Sequence, residues 1–279
     1  MLARLVGALV RAAIVVLVVA TPSLLLPGTT QEGAQMVMLV GLTLGLFTAI
    51  EYGSTYPALI EFRDAPPFNR VRILSLLFML FFLSVVAGGS DPGSTLPLVL
   101  NALGLLIGEA LDVSWSPLTV VLNSIPATAA PVSALQVKVM TGLAAFISLA
   151  ALVVFALLLR LQQWPSRGQA FNVWVNLPTF DPTTGGDVVA RLTRDARVNI
   201  ILGISVAFIL PVVGLTAANH IGLQVVASPH AMVWGIALWM FLPLSMVMRG
   251  MAMARIAGMI RQRRARLVAS VGADAARLA

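Results

Sequence analysis

The sequence predicts an all-α, polytopic integral membrane protein, and three observations predict it. Charged residues make up only 10% of the 279 and hydrophobic ones 59%, whereas a soluble domain carries about a quarter charged residues. The apolar residues fall in runs close to the ~20 an α-helix needs to cross a bilayer. These runs are continuous rather than alternating, and backbone groups in hydrocarbon must be bonded internally, so helices are implied and a barrel is not.

Six firm spans follow in order. The first, Leu5 to Leu26, carries basic residues ahead of an apolar core, and Val18-Val19-Ala20 resembles the end of a signal peptide. Leu24 to Leu26 continue the apolar run past that point, so an uncleaved helix is expected. The second, Gln35 to Tyr56, is apolar from Met36 to Ile50 apart from Thr43 and Thr48. Its Gly41 and Gly45 have the small-xxx-small spacing that lets helix backbones approach, as do Gly104 and Gly108 further on.

The second span runs into EYGSTYPALIEFRDAPPFNR, residues 51 to 70, which holds both tyrosines of the chain, three acids, two arginines and three prolines. Glu51 falls about one turn inside the boundary, with Tyr52 and Tyr56 stacked one turn apart in the headgroup layer. Pro57 is placed to start a short interfacial helix, Pro66-Pro67 to end it, and Asn69 to cap the third span, Ile73 to Gly88.

Leu96 to Val137 is less regular. Its apolar stretch Leu98 to Ile107 is short, and Asn101, Glu109, Asp112, Pro117, Asn123, Pro126 and Pro131 interrupt the rest, so a re-entrant or interfacial segment is expected, with two further crossings as the alternative. The fourth span is Val139 to Leu159, the fifth Val198 to Ala218 and the sixth Ala231 to Met248. Pro211 and Pro243 lie inside the last two and are read as kinks used for packing.

Basic residues orient the chain. With the N-terminus cytoplasmic, the groups Arg63 to Arg72, Arg160 to Arg197 and Arg249 to Arg277 share that face if Leu96 to Val137 crosses zero or two times. Lys138, the single lysine, is then the only basic residue outside. The resulting divisions are 1–90 (three spans and cytoplasmic loop 57–72), 91–137 (periplasmic or re-entrant), 138–160, 161–197 (cytoplasmic loop), 198–248 and the basic tail 249–279. The high arginine use suits a GC-rich bacterium, and the inner membrane is the expected location.

In the 161–197 loop, residues Asn172 to Leu177 alternate weakly and Asp181 to Gly186 reads as a turn. Asp187 can cap a helix that runs on into the fifth span, with Asp187/Arg191 and Arg191/Asp195 one turn apart. A loop of about 35 residues is too small for a catalytic domain of its own. Arg63-Asp64-Ala65 recurs as Arg194-Asp195-Ala196, but the flanks align poorly and chance repetition is the preferred reading.

Three groups of residues stand out as candidate sites. Glu51, Tyr52, Tyr56, Glu61, Arg63, Asp64, Phe68 and Arg70 form a charge-balanced turn, which suits pairing of its charges with each other or docking of a partner protein. Arg255, Arg261, Arg263, Arg264 and Arg266 lie on a basic amphipathic extension of the last span, and such clusters gain roughly 1 kcal/mol per basic residue near anionic lipid. Glu109 and Asp112 share a helical face and suit binding a cation, trading a proton or a salt bridge to Lys138, with a hydrated interface beside Trp115 as the preferred reading.

The absence of cysteine excludes thiolate chemistry, and no phosphate loop, zinc-protease or nucleophile-elbow motif is present. No cofactor, no metal and no nucleic acid is expected. The second, third, fifth and sixth spans lack a charged residue near their middles, where coupled carriers usually need one. The leading expectation is a non-catalytic accessory, assembly or scaffold subunit that packs against other membrane subunits and anionic lipids. A small-solute or lipid transporter and a membrane enzyme acting on lipid headgroups are the alternatives.

Overall fold

In the computed structural model the described residues, 2–56, 58–64, 66–89, 94–125, 134–161, 164, 172, 176–181, 183, 185–220 and 228–278, form helices and connecting turns with no strand. The described helices are α1 (Leu2–Leu25), α2 (Gln31–Gly53), α3 (Phe68–Ala87), α4 (Thr95–Leu111), α5 (Pro117–Asn123), α6 (Ala134–Leu161), α7 (Val188–His220) and α8 (Pro229–Leu278). Six of them, α1, α2, α3, α6, α7 and α8, are long and apolar enough to cross a membrane, and they coincide with the six expected spans. The chain is a multi-pass, all-helical membrane protein.

The helices overrun the spans at their polar ends. α7 starts at Val188, with Ala190 N–H donating to the Asp187 carboxylate as a cap, and continues without a break to His220. α8 carries the basic tail as one helix.

Two hairpins flank a centre. α1 pairs with α2, α7 pairs with α8, and α3 and α6 sit between them, each also packed on α8. Met79, Leu80 and Leu83 of α3, Met140, Leu143 and Ala144 of α6, and Val233, Ala237 and Met248 of α8 are fully buried there. Hydrocarbon supplies no hydrophobic drive between helices, so close backbone approach has to hold them together. Glycines provide it. Gly41 and Gly45 face Val16 and Val19 of α1, and a Cβ on Gly45 would lie 2.8 Å from Val16 Cγ2. Gly104 and Gly108 of α4 meet Gly142 of α6 backbone to backbone. Gly203 and Gly250 do the same between α7 and α8, where a Cβ on Gly250 would lie 2.7 Å from the Ala196 carbonyl oxygen.

The irregular region resolves into α4, an apolar helix of 17 residues packed on α6, and α5, of 7 residues, against α6 and α7. Pro126 and Pro131 lie outside the described residues.

Four local expectations need correction. Residues 58–64 are turns rather than an interfacial helix, and Pro57 lies outside the described residues. α2 ends at Gly53, so Tyr56 leaves the helix, stands 81% exposed and does not stack on Tyr52. Asn69 does not cap α3: Pro67 holds that position without a side-chain bond, and Asn69 Nδ2 donates to the Glu61 carbonyl instead, at 2.8 Å. Asp187 reaches across to Arg264 of α8, Asp195 pairs with its neighbour Arg194, and Arg191 lies 4.7 Å over the Phe180 ring.

Candidate functional site

At the end of α2 the chain needs partners for the amides of a turn that no helix satisfies, and Glu51 supplies them. The residue is 8% exposed, and its carboxylate accepts from the backbone N–H groups of Ala58 (3.1 Å), Leu59 (3.0 Å) and Ile60 (3.1 Å). Arg63 closes the same turn from the other side, with Nη1 donating to the carbonyls of Glu51 (3.0 Å) and Ser54 (2.7 Å). Arg4 of α1 donates to the Ser54 carbonyl as well.

This turn presents Phe62, at φ 52° and 1% exposed, to the base of the bundle. Its backbone N–H donates to the Asn176 carbonyl at 2.7 Å. Its ring lies 4.5 Å from Phe68 and 5.6 Å from Trp164, and Phe155 completes the aromatic cluster. The burial and the hydrogen bond offset a conformation that costs a non-glycine residue on the order of 1 kcal/mol or more.

Glu61 forms the second tie. Arg249 of α8 grips it through Nε (2.6 Å) and Nη2 (2.8 Å), the forked pairing that a guanidinium makes best. Thr179 Oγ1 donates to the same carboxylate at 2.8 Å, and Arg249 Nη1 donates to Asn199 Oδ1 of α7 at 2.9 Å. One node therefore joins the 51–70 turn, the 176–181 segment, α7 and α8. The side chains are 12% and 30% exposed, so removing one partner leaves a half-buried charge. Glu61→Ala and Arg249→Ala are each expected to cost about 2 to 3 kcal/mol, and the double variant little more than either alone. Thermal unfolding in detergent would read a coupling of about 2 kcal/mol, and strict additivity would contradict the node.

Beside this node, α1, α2, α3 and α8 enclose a lateral cavity of about 890 Å³. Arg11, Arg70, Arg72 and Arg249 line it, and Glu61 is the one acid among the described residues of its wall. Arg11 lies 4.6 Å over the Tyr52 ring; Arg72 lies between Phe68 and Phe241, at 5.3 and 5.9 Å, and donates from Nε to Ser245 Oγ. The remaining wall is apolar, with Val10, Ile14, Ile73, Leu242 and Met246 among its residues. Sequence reasoning missed this cavity because its arginines come from three separate helices.

Of the proposed docking residues, Glu51, Glu61 and Phe68 are buried or bonded within the chain, and the Arg63 side chain is 5% exposed. Tyr56, Asp64 and Arg70 remain on the surface. In the tail, Arg255 Nε donates to the Trp164 carbonyl and Arg264 pairs with Asp187, whose carboxyl this guanidinium holds below the usual carboxylate range. Arg261, Arg263 and Arg266 are exposed. At the opposite end Lys138 bridges Glu109 (3.2 Å) and Asp112 (2.8 Å), and Trp115 stacks on Phe208. The Lys138 ammonium, with the Thr119 hydroxyl, holds the Asp112 carboxyl below its ordinary range.

Compared with protein-family models, curated proteins and solved structures, the chain gives no match.

Proposed function

We propose that the chain is a non-catalytic membrane subunit that packs within a larger membrane complex and its lipids. One observation carries this reading: the two least exposed acids of the 51–70 turn, Glu51 and Glu61, serve as ties within the fold. Glu51 holds three amides and Glu61 holds Arg249, so neither is free to take up or deliver a proton to a substrate.

The outer helices suit the role. α2 buries only Gly41, Gly45 and Glu51 among its described residues, which leaves Met38, Leu42 and Leu46 facing outward for lipid or another subunit. Exposed Arg261, Arg263 and Arg266 extend from the membrane end of α8 for contact with anionic lipid. The arginines gather at one end of the bundle, and the positive-inside rule makes that end cytoplasmic in a bacterial inner membrane, with both termini there. The 890 Å³ cavity favours a second reading, a carrier of amphiphiles.

Purification in mild detergent followed by mass spectrometry of co-migrating proteins tests the first reading. Stoichiometric membrane partners are the expected result, and a monodisperse monomer with no partner under several detergents would sink it. Uptake of a labelled lipid by reconstituted vesicles, without any partner, would favour the carrier.

A further inference from the structure

We propose that the lateral cavity between α1, α2, α3 and α8 is a binding site for one anionic phospholipid, its phosphate held by Arg11, Arg70 and Arg72. The proposal does not depend on the subunit reading, because it concerns the lipid alone.

Charge is the first reason. Four guanidinium groups meet one carboxylate in this cavity, and that carboxylate is already gripped by Arg249. Arg11, Arg70 and Arg72 line the cavity without an ion pair among the described residues. Arg11 donates one hydrogen bond, to the Gly7 carbonyl, Arg72 one, to Ser245, and Arg70 makes no hydrogen bond or ion pair among the described residues. A guanidinium has five N–H donors, so most of this capacity is open to an oxyanion, for which its planar fork is well shaped.

Preorganisation is the second. Arg72 is held between two aromatic rings and Arg11 over a third, so their positions are fixed before any ligand arrives. The first turn of α3 adds to the field. Its residues Phe68, Asn69 and Arg70 line the cavity and Pro67 gives the helix no side-chain cap, so first-turn amides and the positive end of the helix dipole lie at the site.

The shape of the wall chooses among anions. Ile14, Ile73 and Phe241 continue the cavity as an apolar face along helices that lie in the membrane. A free phosphate would leave that face empty, whereas a phospholipid fills it with an acyl chain while its headgroup meets the arginines.

The test uses the full chain purified in a neutral detergent. Native mass spectrometry with added phosphatidylglycerol should show one tightly retained lipid, and phosphatidylcholine at the same concentration should be retained much less. Arg70→Gln and Arg11→Gln should each weaken phosphatidylglycerol retention about fivefold, the effect of one basic group near an anionic headgroup. The unfolding temperature of Arg70→Gln without lipid should stay at the wild-type value, since Arg70 makes no hydrogen bond or ion pair among the described residues. Arg261→Gln with Arg263→Gln should leave retention unchanged. Equal retention of both lipids, unaltered retention in the Arg70 and Arg11 variants, or equally tight binding of glycerol phosphate would each overturn the proposal.

Discussion

Replacing Gly142 by leucine is expected to lower the unfolding temperature by about 10 °C in detergent and to release α4 to proteolysis. The reason is backbone geometry. A Cβ on Gly142 would collide with the Gly104 carbonyl oxygen and the Gly108 backbone of α4, and a Cβ on Gly108 would stand 2.6 Å from the Lys138 carbonyl oxygen. No flexible side chain is available to move aside, so the two helices have to separate. Overpacking a filled interface costs roughly 1 to 3 kcal/mol where neighbours can yield, and here they are main chain, so about 3 kcal/mol is the expected size. Each kcal/mol moves the midpoint of a chain this long by about 2 to 4 °C.

The same change at Gly214 supplies the contrast. A Cβ there meets nothing within 4 Å, so Gly214→Leu gains helix propensity and adds no clash. It is expected to leave stability unchanged or slightly raised. A fall of similar size at both glycines would show that the α4–α6 contact is not what makes Gly142 special.

The spans were legible because a bilayer imposes length and apolarity on every crossing helix, and both can be counted along the chain. Gly41/Gly45 and Gly104/Gly108 were legible for a related reason: close packing in lipid demands small residues at one helical spacing. Helix ends in the polar layer were harder. There the competing signals are local, and Asn69 looked like a cap although the turn before it needed Asn69 for the Glu61 carbonyl.

The ties between distant segments could not be read at all. Glu61 and Arg249 are 188 positions apart, and nothing in the order of acids and arginines singles out that pair. The same holds for Asp64 N–H donating to Asn176 Oδ1. The charge balance of residues 51 to 70 was visible, and internal pairing was one of its two expected explanations. Only Arg63 and Asp64 pair in that way; Glu61 is taken by Arg249 of α8 and Glu51 by backbone amides. The arginine-lined cavity stayed hidden because it exists only once α1, α3 and α8 are side by side.

Glu51→Ala is expected to cost about 3 kcal/mol and to expose the 51–70 turn to trypsin. The carboxylate accepts from three consecutive amides, and alanine at this buried position leaves all three without that acceptor, although Ala58 and Leu59 themselves are exposed. An orphaned buried donor costs about 1 to 3 kcal/mol, and partial access of water to the turn keeps the total near the lower bound for three. One oxygen, Oε2, accepts all three bonds, so Glu51→Gln keeps an acceptor but loses the charge that roughly doubles their strength, and roughly half the loss is expected. The consequence reaches beyond the turn, because the amides that Glu51 holds lead directly into Glu61 and Phe62, which join the turn to α8 and to Asn176. In the wild-type protein the Arg63 side chain is 5% exposed, so trypsin should cut there slowly. Cleavage after Arg63 should become fast in Glu51→Ala and intermediate in Glu51→Gln, while cleavage in the exposed tail after Arg261 and Arg263 stays constant. Equal rates at Arg63 in all three proteins would mean that the carboxylate does not hold the turn, and the link it secures between the two halves of the bundle would need another origin.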